Sequence, residues 1–451
     1  MSDHLRDAAR GVLPGVRADL EALIRIPSVS ADPGAGAELR RSADLVAGLF
    51  RDVGTPDVEV LDDVPGGQPA VLARYPAPAG RPTVLLYAHH DVQPAGDPAG
   101  WLSPPFEPTE RDGRLYGRGS ADDKAGIAAH LAAMRAYHGR PPVGVTVFVE
   151  GEEEIGSPTL DAFLERHRDR LAADVIVLAD GGNFDVGRPA FTTSLRGLVS
   201  CVVEVRALAH GVHSGGYGGA APDALTALCR LLATLHDERG DVAVEGLASA
   251  EPPAFDYPEE RFRAEAAMLD GVQLLGSGSL AERIWAKPSA SVLALDATRV
   301  ADASNTLLPV ARAKVSVRLA PGDDAPRARA ALARHLREHA PWGVHVTVQD
   351  ADLGRPFAVG ARGPAFDAAH AAFRQAFGHA AVELGNGGTI PFVAAFADAF
   401  PGTEVLVTSA GADPDCRAHG ADESLHLGDF ERACLAEILL LDALAAPAGS
   451  R

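Results

Sequence analysis

The sequence predicts an α/β protein in which an α+β segment interrupts the main fold. Up to about residue 190, short apolar runs alternate with helical stretches, which is typical of a mixed, mostly parallel sheet flanked by helices. From residue 191 the strands alternate polar and apolar residues, and after residue 357 the α/β character returns. We therefore expect a catalytic domain in two parts, 1–190 and 358–451, and an inserted α+β domain over 191–357.

Composition narrows the class of protein. The 451 residues suit two or three domains, and 47% of them are hydrophobic, which is enough to form cores. The formal charge of -20 disfavours a nucleic-acid partner, because such proteins carry a basic surface. The start MSDHLRDAAR lacks the apolar core of a secretory signal, and no stretch is apolar enough to span a membrane. Four scattered cysteines indicate reduced thiols, so we expect a cytoplasmic protein with no membrane partner.

The first elements are two amphipathic helices followed by strands. Residues 3–26 have apolar positions at helical spacing, and Pro14 inside them predicts a kink or a second start. A second helix is expected over 39–53, and strands over 70–74 and 84–87.

The strand at 84–87 runs directly into His89, His90 and Asp91. Side chains of extended backbone alternate between faces, so His89 and Asp91 point the same way and His90 points away. Neutral imidazole binds metal ions, and a nearby carboxylate can fix its tautomer. The pattern indicates a metal site, although a polar surface loop could contain the same residues.

Two more strands end in acidic residues. Strand 143–149 leads into EGEEEIGS, and Val175–Leu178 leads to Asp180. Crowded carboxylates repel one another unless a cation or solvent separates them. Asp122 and Asp123 precede a helix expected over 125–134, where the helix dipole alone favours acids. Ligand sites of open α/β sheets lie at the carboxyl ends of strands, which favours a cation site here.

The rest of the sequence predicts a glycine-rich loop and further strands and helices. The inserted segment contains AHGVHSGGYGG, with His210 and His213 beside a glycine-rich loop. The expected strands are 200–207, 291–297, 313–320, 344–348 and Glu404–Val407, and the expected helices are 159–171, 220–235, 259–268, 325–339, 361–377 and 429–444.

With these segments assembled, the chain resembles the co-catalytic metallopeptidase family of carboxypeptidase G, acetylornithine deacetylase, aminoacylase and carnosinase-like dipeptidases. YAHHDVQP, LYGRGSADDK and EGEEEIGS are similar to the family's G-H-x-D-V-x-P, G-R-G-x-x-D-x-K and E-G-x-E-E-x-G-S. VHSGGYGG, NTLLP and VSVRLAP are similar to its later motifs and occur in the same order. The dipeptidase branch is the most similar, because of D-V-Q-P, G-R-G-S-x-D-D-K and the long loop before His419.

The resemblance implies two divalent ions per chain, Zn²⁺ first, with Mn²⁺ or Co²⁺ as alternatives. One ion would be held by His89, Asp122 and Asp180. Asp122 would bridge to a second ion, and the remaining expected ligands are Glu154 and His419.

The resemblance also implies the catalytic groups. Glu153 would be the general base for a metal-bridged hydroxide, and Asp91 would brace His89. His213 would stabilise the oxyanion from a partner subunit, in a homodimer formed through the inserted lid domain. The expected substrate-binding residues are Asn305, Arg318, Gly387 and Gly388.

The resemblance therefore predicts that the protein hydrolyses short peptides with the help of metal ions, as a dipeptidase or carboxypeptidase. Gly385 and Asn386 stand where dipeptidase relatives often have an Arg-acid pair, whose acid could contact the substrate's free amine. Their presence leaves an N-acyl amino acid deacylase as the alternative. A non-catalytic scaffold on the same fold is disfavoured, because Glu153 and the ligand set are intact.

Overall fold

A computed structural model describes residues 2–359, 362–388 and 390–446. The chain forms two compact units. The main unit comprises Met1–Thr193, Val359–Leu384 and Ile390–Arg451, and the inserted unit comprises Ser194–Ala358 and Gly385–Thr389. None of the described helices is long and apolar enough to cross a membrane.

Strands and helices alternate through most of the main unit. The strands are β1 Asp57–Leu61, β2 Ala70–Tyr75, β3 Thr83–His89, β4 Thr109–Arg111, β5 Arg114–Tyr116, β6 Gly144–Glu150, β7 Val175–Leu178, β8 Ala190–Leu195, β9 Gly197–Arg206, β10 Val212–His213, β11 Ser289–Asp296, β12 Thr306–Leu307, β13 Val310–Leu319, β14 His345–Gly354, β15 Phe357–Ala358, β16 Val382–Asn386, β17 Glu404–Val407 and β18 Ser424–His426. The helices are α1 Ser2–Ile24, α2 Gly36–Asp52, α3 Lys124–Ala136, α4 Leu160–Leu171, α5 Ser214–Tyr217, α6 Ala224–Ala233, α7 Glu259–Glu265, α8 Ala325–Glu338, α9 Pro364–Phe377, α10 Pro391–Ala399 and α11 Leu427–Leu444.

The main sheet has the strand order β1-β2-β6-β3-β7-β17. Strands β6, β3, β7 and β17 pair in parallel, whereas β1 and β2 add antiparallel pairs at one edge. The register sets His89 opposite Glu150. The predicted mixed, mostly parallel sheet is confirmed, and the carboxyl ends of its three central strands adjoin.

Helices cover both faces of this sheet, which explains why β3 and β6 read as continuous apolar runs. On one face, Val84 and Leu86 pack in a core that includes residues of α2, α3, α9 and α11. On the other, the Tyr87 ring lies 3.6 Å from the Phe392 ring of α10, centroid to centroid. Helix α1 continues through Pro14, so the proline neither ends nor restarts it. The helix predicted over 361–377 is seen as α9, and residue 361 lies outside the described residues.

The inserted unit contains a four-stranded antiparallel sheet, β11-β13-β9-β14. Val199, Cys201, Val203 and Val205 alternate along β9 and are buried in one core with residues of α6 and α8. This is the alternation expected of a sheet with one covered face. Strand β11 lies at an edge of the sheet and leaves apolar side chains exposed.

Candidate dinuclear metal centre

The first group of ligating side chains comes from the carboxyl ends of two neighbouring strands and the start of a helix. His89 is the last residue of β3, Asp180 follows β7 by two residues, and Asp122 precedes α3. One ligand atom from each lies within 4.8 Å of the others. Asp123 is the N-cap of α3, and its side chain accepts the Gly126 N–H. The position at a helix start therefore explains the acid at Asp123, whereas the Asp122 side chain belongs to the ligand cluster.

His89 is fully buried and is fixed from behind by Asp91. Its Nδ1 lies 3.0 Å from the Asp91 main-chain oxygen and 3.4 Å from the carboxylate. A hydrogen on Nδ1 leaves the Nε2 lone pair directed at Asp122, 3.1 Å away. The Asp91 carboxylate also accepts the main-chain N–H groups of Glu153 and Glu154, at 3.2 and 3.1 Å. Asp91 therefore joins the histidine to the glutamate turn.

The second group shares Asp122 with the first. His419 Nε2 lies 3.0 Å from Asp122 Oδ2 and 3.2 Å from Glu154 Oε2, whereas Asp122 Oδ1 faces His89. The two oxygens of one carboxylate thus serve two different groups, the arrangement that a bridging ligand requires. Gln93 fixes Glu154 by donating from its side chain (2.8 Å) and its main-chain N–H (3.1 Å).

The charges of this cluster suit divalent cations. Burial and the charge of Asp122 raise the pKa of Asp180 well above its usual range. Burial and the charges of Asp180 and Asp122 also raise the pKa of Glu153 well above its usual range, although the charge of His89 opposes the shift. Repulsion between neighbouring negative charges contributes to both shifts, and a divalent cation would relieve it. The donor set of two imidazoles and three carboxylates fits Zn²⁺, Mn²⁺ or Co²⁺.

The remaining glutamates of EGEEEIGS make contacts elsewhere. Glu150 is buried and accepts the Tyr87 hydroxyl at 2.7 Å. Glu152 is buried and accepts the main-chain N–H (2.7 Å) and the hydroxyl (2.6 Å) of Thr159. His90 is also buried, with Nε2 2.7 Å from a main-chain carbonyl oxygen. His90 therefore makes its contact away from His89 and Asp91, as strand alternation predicts.

The candidate oxyanion group, His213, lies in the inserted unit on a short ribbon of β10 and β12. Its Nδ1 accepts the N–H groups of Gly215 and Gly216, at 3.0 and 3.2 Å. In the neutral ring the hydrogen is then on Nε2, which can donate. Asn305 adjoins it, because its carbonyl accepts the Ser214 N–H at 2.8 Å. The structure thus brings these two candidates together.

The other substrate-binding candidates lie elsewhere in the inserted unit. Arg318 is half-buried on β13, where its charge adds to burial in lowering the pKa of Arg196 to about 10. A Cβ at Gly387 would lie 2.9 Å from an Arg196 nitrogen. Arg196 and Gly387 thus lie side by side, a pairing that the sequence did not indicate. The Gly388 N–H donates to the Asn386 side chain at 2.8 Å.

Gly385 packs closely against Trp285. A Cβ at this position would lie 2.4 Å from the Cβ of Trp285, which real atoms do not tolerate. Trp285 therefore leaves no room for a side chain at position 385.

Three residues around the centre were not found from the sequence. Gln93, Arg118 and Glu423 are polar groups that hold the ligands or their backbone. Gln93 and Arg118 lie in segments that the motifs already marked, whereas Glu423 does not, and nothing in residue type distinguishes the three from surface polar residues.

Comparison with known proteins identifies relatives. The model of peptidase family M20/M25/M40 matches residues 85–441. A cysteinylglycine-S-conjugate dipeptidase of Corynebacterium striatum is 39% identical over 79% of this chain and 80% of its own. The human β-Ala-His dipeptidase is 29% identical over 90% and 85%. The structure of the di-peptidase Dug1p of Saccharomyces cerevisiae superposes with a TM-score of 0.82 at 22% identity, covering 99% of both chains, and shows the same fold.

Proposed function

The chain belongs to peptidase family M20/M25/M40 and is a metal-dependent hydrolase of short peptides, and we propose that it is a dipeptidase acting at the cluster around Asp122. The observation that carries the proposal is the shared carboxylate, with one oxygen toward His89 and the other toward His419.

The ligand groups define what each residue would do. His89 and Asp180 would hold one divalent ion, Glu154 and His419 the other, and Asp122 both. Bound there, the ions would supply Lewis-acid chemistry, polarising the scissile carbonyl and lowering the pKa of a water molecule. Zn²⁺ suits the donors, and Mn²⁺ or Co²⁺ would also fit.

Glu153 would move the proton from the attacking water to the leaving amine. Its main chain is fixed by Asp91, and its carboxylate interacts with the charges of His89, Asp122 and Asp180. A general base must lie within reach of the proton it accepts, and the bond from the Glu153 main-chain N–H to Asp91, which also contacts the ligand His89, supports this role. Asp91 would keep the Nε2 lone pair of His89 available.

The inserted unit would bind the rest of the substrate. A guanidinium such as that of Arg318 suits a free carboxylate, and Asn305 and the backbone of Gly387 and Gly388 would add polar contacts. Two relatives are named for dipeptide substrates, cysteinylglycine S-conjugates and β-Ala-His. We therefore propose unblocked dipeptides as the substrate class.

A substrate screen tests this proposal. Metal-loaded protein should hydrolyse Cys-Gly, S-substituted Cys-Gly or β-Ala-His with a kcat/KM at least about tenfold above that for N-acetyl amino acids, a difference of about 1.4 kcal/mol. Elemental analysis should find two ions per active chain. A preference for the N-acetyl compounds would instead establish the deacylase, and activity without bound metal would overturn the mechanism.

We further propose a homodimer in the cytoplasm. On edge strand β11, Val292, Leu293 and Leu295 are 46%, 61% and 45% exposed. An apolar edge strand of this kind favours pairing with a second chain. The four unpaired cysteines suit a reducing compartment.

Subunit exchange tests whether His213 acts from the partner subunit. His213→Ala and Glu153→Gln should each be inactive alone. Mixed in equal amounts, they should regain about a quarter of wild-type activity, because half of the dimers then contain one intact site of two. If mixed dimers form and stay inactive, His213 does not act across the interface. A mixture of Glu153→Gln with wild type should keep half of wild-type activity whether or not subunits exchange, and it controls for effects of mixing alone.

A further inference from the structure

One buried carboxylate beside the centre belongs to neither ligand group. Glu423 lies four residues after His419 and is fully buried. Its two oxygens accept the main-chain N–H groups of Gly119, Ala121 and Asp122, at 3.1, 3.0 and 3.1 Å. Three donors from the segment that carries the bridging ligand thus converge on one side chain.

Arg118 completes this arrangement. Its guanidinium forms a buried ion pair with Glu423 and donates to the carbonyls of Gly420 (3.0 Å) and Pro94 (3.2 Å). A buried charge is tolerated when it is paired and hydrogen-bonded, and Glu423 meets both conditions. The pair therefore ties the segment before α3 to the loop that contains His419.

The loop around His419 needs such an anchor. His419 is itself exposed, so packing does not fix its position. Arg417, His419 and Asp422 all have positive φ, at 54°, 64° and 58°, a conformation that costs energy in residues other than glycine. Contacts from outside the loop must hold this backbone.

We propose that Glu423 is the positioning residue of the second metal site. Through the Asp122 N–H and through Arg118, it fixes the bridging carboxylate against the His419 loop. This inference rests on the proposed metal centre.

The first group of ligands is held in place without Glu423. His89 ends a central strand, and Asp180 follows the neighbouring one, so the sheet itself places both. Only Asp122 connects that group to Glu423. Loss of the Glu423 charge should therefore weaken the second ion far more than the first.

Replacing the carboxylate with an amide tests the asymmetry. Glu423→Gln keeps the volume, turns an NH₂ toward main-chain N–H donors and removes the countercharge of Arg118. Metal-free protein titrated with Co²⁺, followed by its visible absorption and by calorimetry, should show second-ion affinity reduced about 10–100-fold. First-ion affinity should change little.

Glu437→Gln is the matched control, because Glu437 is a buried acid paired with His130 (2.9 Å) on other elements. Both variants should lose thermal stability, and only Glu423→Gln should change the ratio of the two affinities. Equal loss of both ions, or no loss of either, overturns the proposal. If wild-type protein binds no second ion, the proposed function itself fails.

Hydrogen exchange tests the proposal even if the variant does not fold. In metal-free wild-type protein, the amides of Gly119, Ala121 and Asp122 should be protected, because Glu423 and not a metal ion holds them. Free exchange of these amides, while those of β3 stay protected, overturns it.

Discussion

Asp122→Ala should bind neither divalent ion and should show background activity. Asp122 supplies an oxygen to each ligand group, so its removal leaves both groups with two ligands instead of three. It also removes the carboxylate oxygens that lie 3.1 Å from His89 Nε2 and 3.0 Å from His419 Nε2. Elemental analysis after dialysis, with calorimetric titration of the metal-free protein, measures the outcome.

The neighbouring acid provides the control. Asp123→Asn keeps a side-chain oxygen to accept the Gly126 N–H, and asparagine is as good an N-cap as aspartate. This variant should retain two ions. An Asp122→Ala protein that holds one ion at wild-type affinity contradicts the bridging role.

Glu153→Gln should retain both ions and lose about 10²–10⁴-fold in kcat, the range typical of a general base. An amide cannot accept the proton of the attacking water, but it preserves the shape of the side chain. Steady-state kinetics on the best dipeptide, beside metal analysis of the same sample, separates loss of proton transfer from loss of metal.

Glu152→Gln is the isosteric control, one residue away. Glu152 accepts hydrogen bonds from Thr159 and is not in either ligand group, so this change should leave kcat near the wild-type value. It should cost about 1–3 kcal/mol of unfolding free energy, because a buried hydrogen bond is lost. If Glu153→Gln is fully active and Glu152→Gln is not, the base has been assigned to the wrong glutamate.

Periodicity in the sequence located much of the centre. Strand alternation separated His89 and Asp91 from His90, and the apolar runs placed Asp180 at the end of a strand. These predictions worked because a strand fixes the direction of its side chains locally. Pro14 was harder to interpret, since a helix can continue past a proline when packing compensates for the lost hydrogen bond.

The roles of the clustered acids could not be read from local pattern. Glu150, Glu152, Glu153 and Glu154 are the same residue type in nearly adjacent positions, and separating them required the family resemblance. Their hydrogen bonds depend on Tyr87 and Thr159 from other elements. Glu423 gave no signal at all, because its partners lie far away along the chain.

The sequence by itself determined the fold class and the chemical types of the site: imidazoles and carboxylates at strand ends and before a helix. Only the tertiary structure decided which of them meet. The strand order β6-β3-β7 brings His89 beside the glutamate turn and Asp180, and a distant loop adds His419. Residue type and periodicity act over a few residues, whereas the distances between these ligands depend on strand pairing and on the bonds of Glu423.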